Sequence, residues 1–403
     1  MTRAELRVAI DVGSDRHRVG IGTPDGRVLD EFDITHDRDG FDRFFSRVSS
    51  FEESLQLPVV VAMEGLGGWA RPLDRMIQQR GYELLNVNNV KLARFKEIFA
   101  APAKTDKIDT RKILELMHLR EALPLAKRVL HRVGPVPVEN EQLKRYTRRR
   151  RQLVDERVRV TNRLQADLQA ISPGLLEITG DVANIWFLNF LSAREDLARL
   201  MTLRRPTLLK IPGVGKGYAA KIEAWQKDAT MSPEVEWVGE MIVADATRSL
   251  ELVRQIQALE QRIDSIAATS SMATRIRTIG GFGSICSATL AGEIGNLDRF
   301  DSEAGLALYS GMTRLDNSSG NFVGTKNTRQ VNTHAKAAMM TAVARHIDSV
   351  PESKIYYDRK RAEGKTHNQA VRALGRHLIR VIWSMIKQER DYIPKTWANS
   401  KTA

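Results

Sequence analysis

Four carboxylates in this 403-residue sequence stand where acids can do chemistry. Asp11 follows the apolar run Val8-Ala9-Ile10, and Glu64 follows Val59-Val60-Val61-Ala62-Met63, so each acid emerges where a buried strand should end. Asp106 and Asp109, in Lys104-Thr105-Asp106-Lys107-Ile108-Asp109, are three apart. That spacing shares one face in the first turn of an expected helix, where the dipole favours anions. If the two strands are neighbours, about 4.8 Å apart, the carboxylates converge at one edge of a sheet. Gathered anions repel, and a hard divalent cation with oxygen ligands relieves them at neutral pH; magnesium fits best. Two such ions about 3.5 to 4 Å apart would activate and stabilise the oxygens of a phosphodiester in displacement. Singly, each acid is an ordinary cap or turn residue. The order Asp, Glu, Asp-x-x-Asp along one topology carries the reading.

The elements that must hold these acids follow from periodicity. From Leu6 to about Leu119, short β-branched runs alternate with helical patterns, which predicts an α/β domain. Leu6 to Val12, His17 to Gly22 and Arg27 to Thr35 form a meander, the last two joined through the turn Thr23-Pro24-Asp25-Gly26. A helix at about Gly40 to Ser50, a strand at Pro58 to Met63, a helix at Arg71 to Arg80 and a strand at Tyr82 to Val87 follow, giving the order βββαβαβα and a mixed sheet.

Beyond about Pro135 the composition turns to long charged helices. Glu139 to Arg163 holds nine basic residues against four acidic. Leu153, Val160, Leu164, Leu168 and Ile171 form its apolar seam. A second long helix is expected to open at Ser232-Pro233-Glu234, with Ser232 as the cap and Pro233 in the first helical position. Its seam runs through Val238, Ile242, Leu252, Ile256, Leu259, Ile263 and Ile266, and the two helices could pair with each other or across a dimer. Helical periodicity resumes at Ala335 to Ala344 and Gln369 to Gln388. The expected division is 1–134, 135–200, 201–230, 231–270 and 271–403: an α/β domain, a basic coiled-coil segment, a hairpin region, a long coiled-coil helix and an α-rich C-terminal domain.

A net charge of +13 favours a polyanionic partner, because each cation set on a phosphate releases a counterion. The basic candidates are Lys144, Arg145 and the run Arg148, Arg149, Arg150 and Arg151, with Lys216 and Lys326 further on. Ile211-Pro212-Gly213-Val214-Gly215-Lys216-Gly217 lacks the spacing of a P-loop and has the look of a helix-hairpin-helix turn, as does Ile279-Gly280-Gly281-Phe282-Gly283. No apolar stretch approaches the roughly 20 residues of a spanning helix, so no membrane partner is expected. Arg3, Glu5 and Arg7 leave no apolar signal core, and the single Cys286 has no intramolecular partner, which points to a reducing cytoplasm. The eight histidines show no zinc-ligand spacing.

Ile10-Asp11-Val12-Gly13, Ala62-Met63-Glu64-Gly65 and Lys104-Thr105-Asp106-Lys107-Ile108-Asp109, in this strand order, resemble the RuvC-like, ribonuclease-H-fold domain of the Asp-Glu-Asp-Asp transposases of the insertion sequence 110 group, which includes the Piv-type DNA invertases. Ile276-Arg277-Thr278-Ile279-Gly280-Gly281-Phe282-Gly283, Ala291-Gly292-Glu293-Ile294-Gly295, Ala307-Leu308-Tyr309-Ser310-Gly311-Met312 and Asn317-Ser318-Ser319-Gly320-Asn321 resemble the transposase domain that follows it. The resemblance spans nearly the whole chain. It departs from the group at Gly311-Met312-Thr313-Arg314, where a proline is usual, and at Asn327-Thr328-Arg329-Gln330-Val331-Asn332, where a Lys-x-Gly-Asn turn is usual.

By resemblance, Asp11, Glu64, Asp106 and Asp109 are the magnesium ligands and Ser319, with Ser318 as the alternative, is a nucleophile that joins DNA through a phosphoserine. The resemblance also implies a bridging noncoding guide RNA that pairs with donor and target DNA, a dimer-to-tetramer on synapsed DNA, and sites in which the acids of one protomer meet the serine of another. It implies a prokaryotic, nucleoid-associated protein. Two other readings stand beside this one: a structure-selective nuclease working by metal-dependent hydrolysis, and a nucleic-acid-binding protein without catalysis.

Overall fold

The computed structural model describes residues 4–65, 68–87, 92, 106–122, 129–319, 322–326 and 331–394. The chain divides into two compact units, Met1–Val136 with Asp298–Asp301, and Pro137–Leu297 with Ser302–Ala403.

In the first unit, β1 (Leu6–Val12), β2 (Arg16–Gly22) and β3 (Val28–Thr35) form the expected meander. They are followed by α1 (Arg38–Leu55), β4 (Val59–Glu64), α2 (Arg71–Gln79) and β5 (Glu83–Val87), then α3 (Asp106–Ala122) and β6 (Leu130–Arg132). The six strands lie in the order β3-β2-β1-β4-β5-β6. β1, β4 and β5 run parallel; β2, β3 and β6 pair antiparallel, so the sheet is mixed as predicted. The first helix is longer than the pattern suggested, because Asp37 caps it by accepting from the Gly40 amide at 2.8 Å. β6 was not foreseen; three residues are too few for a periodic signal.

Strand alternation sorts the core into two layers. Leu6, Val8, Ile10, Val61 and Met63 pack against Phe41, Phe44, Phe45, Leu73 and Ile77 of α1 and α2. Ala9, Val60, Ala62, Leu85 and Val87 point to the other face and pack against Ile113, Leu114, Leu116 and Met117 of α3. With side-chain period two, Asp11 falls in phase with Ala9, and Glu64 with Ala62. Both acids therefore belong to the face that α3 covers.

The second unit is helical apart from one hairpin. Its elements are α4 (Val138–Ile171), α5 (Pro173–Thr179), α6 (Ile185–Leu191), α7 (Arg205–Leu208), α8 (Lys216–Asp228), α9 (Val235–Thr269), α10 (Ser271–Arg277), α11 (Ser284–Ile294) and α12 (Glu303–Tyr309). β7 (Leu315–Ser319) and β8 (Phe322–Lys326) follow, then α13 (Thr333–Ser349), α14 (Pro351–Ala362) and α15 (His367–Lys387). The two long helices pair with each other: Leu153 and Val160 of α4 cluster with Leu252 and Ile256 of α9. Arg150–Glu260, Arg163–Asp245 and Arg248–Glu156 tie their flanks.

One expected cap is corrected. Ser232 and Pro233 lie in a turn ahead of α9, in which the Val235 amide donates to the Ser232 carbonyl at 3.0 Å, and the helix starts at Val235 with no side-chain cap. The two glycine-rich loops do join helices, α7 to α8 and α10 to α11. Gly213 at φ 85° and Gly281 at φ 81° supply the left-handed residue each hairpin needs.

Candidate active site

Asp11 and Glu64 end neighbouring parallel strands. The last registered pair of β1 and β4 is Ile10 with Met63, one step before the two acids. Adjacent strands lie about 4.8 Å apart, and the shared phase puts both carboxylates on one face. Both side chains are half-buried.

Asp109 lies on α3, the helix that covers the same face of the sheet. It precedes Ile113, Leu116 and Met117 by four, seven and eight residues, so it lies on the stripe that faces the sheet, and it is 8% exposed. The close approach of α3 depends on Gly20 in β2, where a Cβ would stand 2.8 Å from the Thr110 methyl. Asp106 is the first residue of α3, three before Asp109. Its side chain, and residues 104 and 105 of the same motif, lie outside the described residues.

Sequence reasoning missed a cation in this row. Arg18 is registered directly across from Asp11, and Asp33 across from Arg18. The guanidinium of Arg18 donates to Asp33 at 3.1 Å. The arginine that follows His17 in Arg16-His17-Arg18 gives no signal in sequence; only strand register reveals it. On the opposite face of β2, His17 is fully buried, edge-on to His36 at 4.1 Å. Burial, with His36 adding to it, lowers its pKa to about 4, so the ring is neutral at physiological pH.

Among the described residues, no three His, Cys, Asp or Glu side chains gather closely enough to share one ion. The donor set nevertheless suits magnesium, which commonly takes one or two carboxylates and completes its octahedron with water and substrate phosphate oxygens. Asp11 and Glu64 would be the first holders.

The serine motif lies in the second unit, on the β7–β8 hairpin. Ser318 is registered with Val323 and Ser319 with Phe322 at the last rung. Ser318 is exposed; the Ser319 side chain and residues 320 and 321 lie outside the described residues. Lys326 is exposed at the far end of β8, opposite Leu315. Of the altered loop 327–332, residues 327–330 lie outside the described residues.

A buried acid sits near the base of that hairpin. Glu293 of α11 is fully buried and accepts from Arg148 Nε at 2.6 Å and from Arg148 Nη2 at 2.8 Å. Asn332 Nδ2 donates to it at 2.8 Å. Burial alone would raise the Glu293 carboxyl; the bonds from Arg148 and Asn332 outweigh it and hold the group below its ordinary range.

The basic candidates thus divide. Arg148 is committed to Glu293, Arg150 to Glu260 at 2.7 Å, and Arg151 to Asp155 at 2.9 Å. Arg145 and Arg149 are exposed on α4, and Lys144 is half-buried beside α11. Lys216 is exposed as the first residue of α8.

Comparison with known proteins identifies the chain. Residues 8–173 match the sequence model of the DEDD transposases of IS110 type, and residues 273–358 match that of the transposase IS116/IS110/IS902 family. The chain belongs to the IS110 family of transposases. It is 25% identical to the 43.6 kDa protein of insertion element IS110 from Streptomyces coelicolor, across 96% of this chain and 95% of that one. The 44.8 kDa protein of IS116 from Streptomyces clavuligerus is 23% identical, with 96% of each chain covered. The 42 kDa protein of IS900 from Mycobacterium paratuberculosis is 25% identical, over 96% of this chain and 97% of that one.

The two matches to this IS110-family transposase cover separate stretches of the chain. The first spans Asp11, Glu64, Asp106 and Asp109; the second spans Glu293, the serine hairpin and Asn332. Membership makes DNA the substrate at the level of the family. No helix among the described residues is long and apolar enough to cross a membrane.

Proposed function

We propose that this IS110-family transposase is a magnesium-dependent DNA recombinase that cuts and rejoins strands through a phosphoserine. The observation that carries the reading is the pairing of Asp11 with Glu64 at adjacent strand ends, on the sheet face where α3 brings Asp109. The strand order, with three parallel strands flanked by an antiparallel meander, supports a RuvC-like, ribonuclease-H-type unit.

Asp11, Glu64, Asp106 and Asp109 would hold the magnesium, which lowers the cost of charge developing on the phosphate oxygens. The serine Oγ, from Ser319 with Ser318 as the alternative, attacks the scissile phosphorus. The Oγ–P bond forms, the bond to the departing sugar oxygen breaks, and the proton lost by Oγ ends on that oxygen. The phosphoester conserves the bond energy, so a hydroxyl end of another strand can reverse the step without ATP. Arg145, Arg149, Lys144, Lys216 and Lys326 are suited to phosphate contacts. A structured guide RNA bridging donor and target, a dimer-to-tetramer, and acids of one protomer meeting the serine of another complete the proposal; the basic helix α4 and the resemblance of the motifs support it.

The test is strand cleavage with labelled donor and target DNA, candidate guide RNA and magnesium. Asp11→Asn and Glu64→Gln should each abolish cleavage, and Ser319→Ala should abolish joining and covalent capture. Cleavage that survives in the protein with both Ser318 and Ser319 replaced by Ala identifies a metal-dependent nuclease instead. Binding with no processing by the wild type identifies a non-catalytic protein.

A further inference from the structure

The serine hairpin leaves the helical body at Tyr309, the last residue of α12, and returns at Asn332, just before α13. These two residues are joined twice. The Asn332 amide donates to the Tyr309 carbonyl at 2.8 Å, and Asn332 Nδ2 donates to the Tyr309 hydroxyl at 2.7 Å. Both also reach one buried residue: Asn332 Nδ2 donates to the Glu293 carboxylate at 2.8 Å, and the Tyr309 hydroxyl donates to the Glu293 carbonyl at 2.9 Å. Asn332 Oδ1 meanwhile caps α13 by accepting from the Ala335 amide at 2.9 Å.

A buried carboxylate is a poor source of stability, since apolar residues of similar volume often serve a core as well. A fully bonded polar network instead specifies a single arrangement. We propose that Glu293, Asn332 and Tyr309 form a lock at the base of the hairpin, and that Glu293 and Asn332 are positioning residues for phosphoester transfer to the serine. The inference deepens the serine chemistry proposed above and rests on it. The lock is also joined to α4: Arg148 grips Glu293 in bidentate fashion, beside the exposed Arg145 and Arg149. A single acid thus links the helix suited to nucleic-acid phosphates with the hairpin that carries the nucleophile.

Asn332→Asp is the sharpest perturbation. It keeps the oxygen that caps α13 and replaces the amide donor with an anion facing Glu293. Hydrogen exchange across 315–326 should quicken. The rate of covalent capture at saturating DNA should fall about a hundredfold, the scale on which a misplacement of roughly 1 Å acts. The DNA concentration for half-maximal rate should stay within twofold of wild type when capture is measured well below the variant's own unfolding midpoint. Combining it with Glu293→Gln restores one amide-to-carboxylate bond and should recover part of the rate. If Asn332→Asp does not fold, Tyr309→Phe, which removes the hydroxyl alone, should give the same pattern at smaller amplitude. Unchanged exchange overturns the lock. Quickened exchange with a wild-type capture rate overturns the positioning role. Wild type that exchanges normally but captures no DNA defeats the serine chemistry, and the positioning role with it.

Discussion

Replacing Arg148 by Met tests whether the first arginine of the basic run belongs to the core or to nucleic acid. Its side chain is 41% exposed and its partner Glu293 is fully buried. Removing one member of a buried pair costs roughly 3 to 5 kcal/mol; with Arg148 partly open to solvent, about 2 to 3 kcal/mol is expected. Within a unit of this size that lowers the unfolding midpoint by about 4 to 6 °C. Arg149, whose nearest partner is Gln152 at 3.5 Å, supplies the control. Arg149→Met should change stability by no more than about 0.5 kcal/mol.

The pH dependence gives a second handle. In wild type the Glu293 carboxyl is held below its ordinary range, so its contribution is present at neutral pH and fades as pH falls through the folded value. Without Arg148, burial dominates and the carboxyl takes up a proton more readily, so the gap between variant and wild type narrows in acid. Scanning calorimetry at neutral and acidic pH reads both effects. Equal losses for the two variants, or a stable Arg148→Met protein with weakened DNA binding, would refute the assignment.

Three further outcomes are expected. Gly292→Ala sets a Cβ 2.5 Å from the Lys144 amide nitrogen, where α11 meets the α4 backbone, and should cost about 1 to 3 kcal/mol in a denaturant titration. His17 titrates at about 4 when folded against 6.5 when unfolded, so the unfolded chain binds more protons between those values. Stability should fall by up to about 3 kcal/mol as pH drops across that window, a slope that His17→Phe should remove in unfolding measured from pH 4 to 7. Replacing Arg145 and Arg149 together by Ala should reduce the slope of log affinity against log salt by about 2, measured by fluorescence anisotropy on duplex DNA.

The acid half of the site was legible because it depends on local rules. An acid after an apolar run marks a strand end, and period-two alternation puts Asp11 and Glu64 in phase once their strands are neighbours. Asp109 was expected in the first turn of a helix from its spacing of three to Asp106; that this turn faces the sheet is visible only in the packing of α3. The hairpin was not legible: Leu315-Asp316-Asn317-Ser318-Ser319 lacks apolar alternation, and Ser-Ser-Gly reads as a turn, so β7 is apparent only through its pairing with β8. The role of Arg148 was hidden for another reason. Its partner lies 145 residues away, and no periodicity connects them. Arg18 was missed likewise, since cross-strand register is not written in either strand alone. The cap assigned to Ser232 failed because a turn precedes α9, and composition does not distinguish a first helical turn from the turn before it.

The most direct measurement is mass spectrometry of the peptide bound to DNA after reaction with magnesium, guide RNA and both DNA partners. A phosphodiester-derived adduct on Ser319, absent when the metal is chelated and absent in Asp11→Asn, is the predicted result. Strand cleavage that leaves no serine modified, or an adduct that forms equally without Asp11 and without metal, would contradict the account.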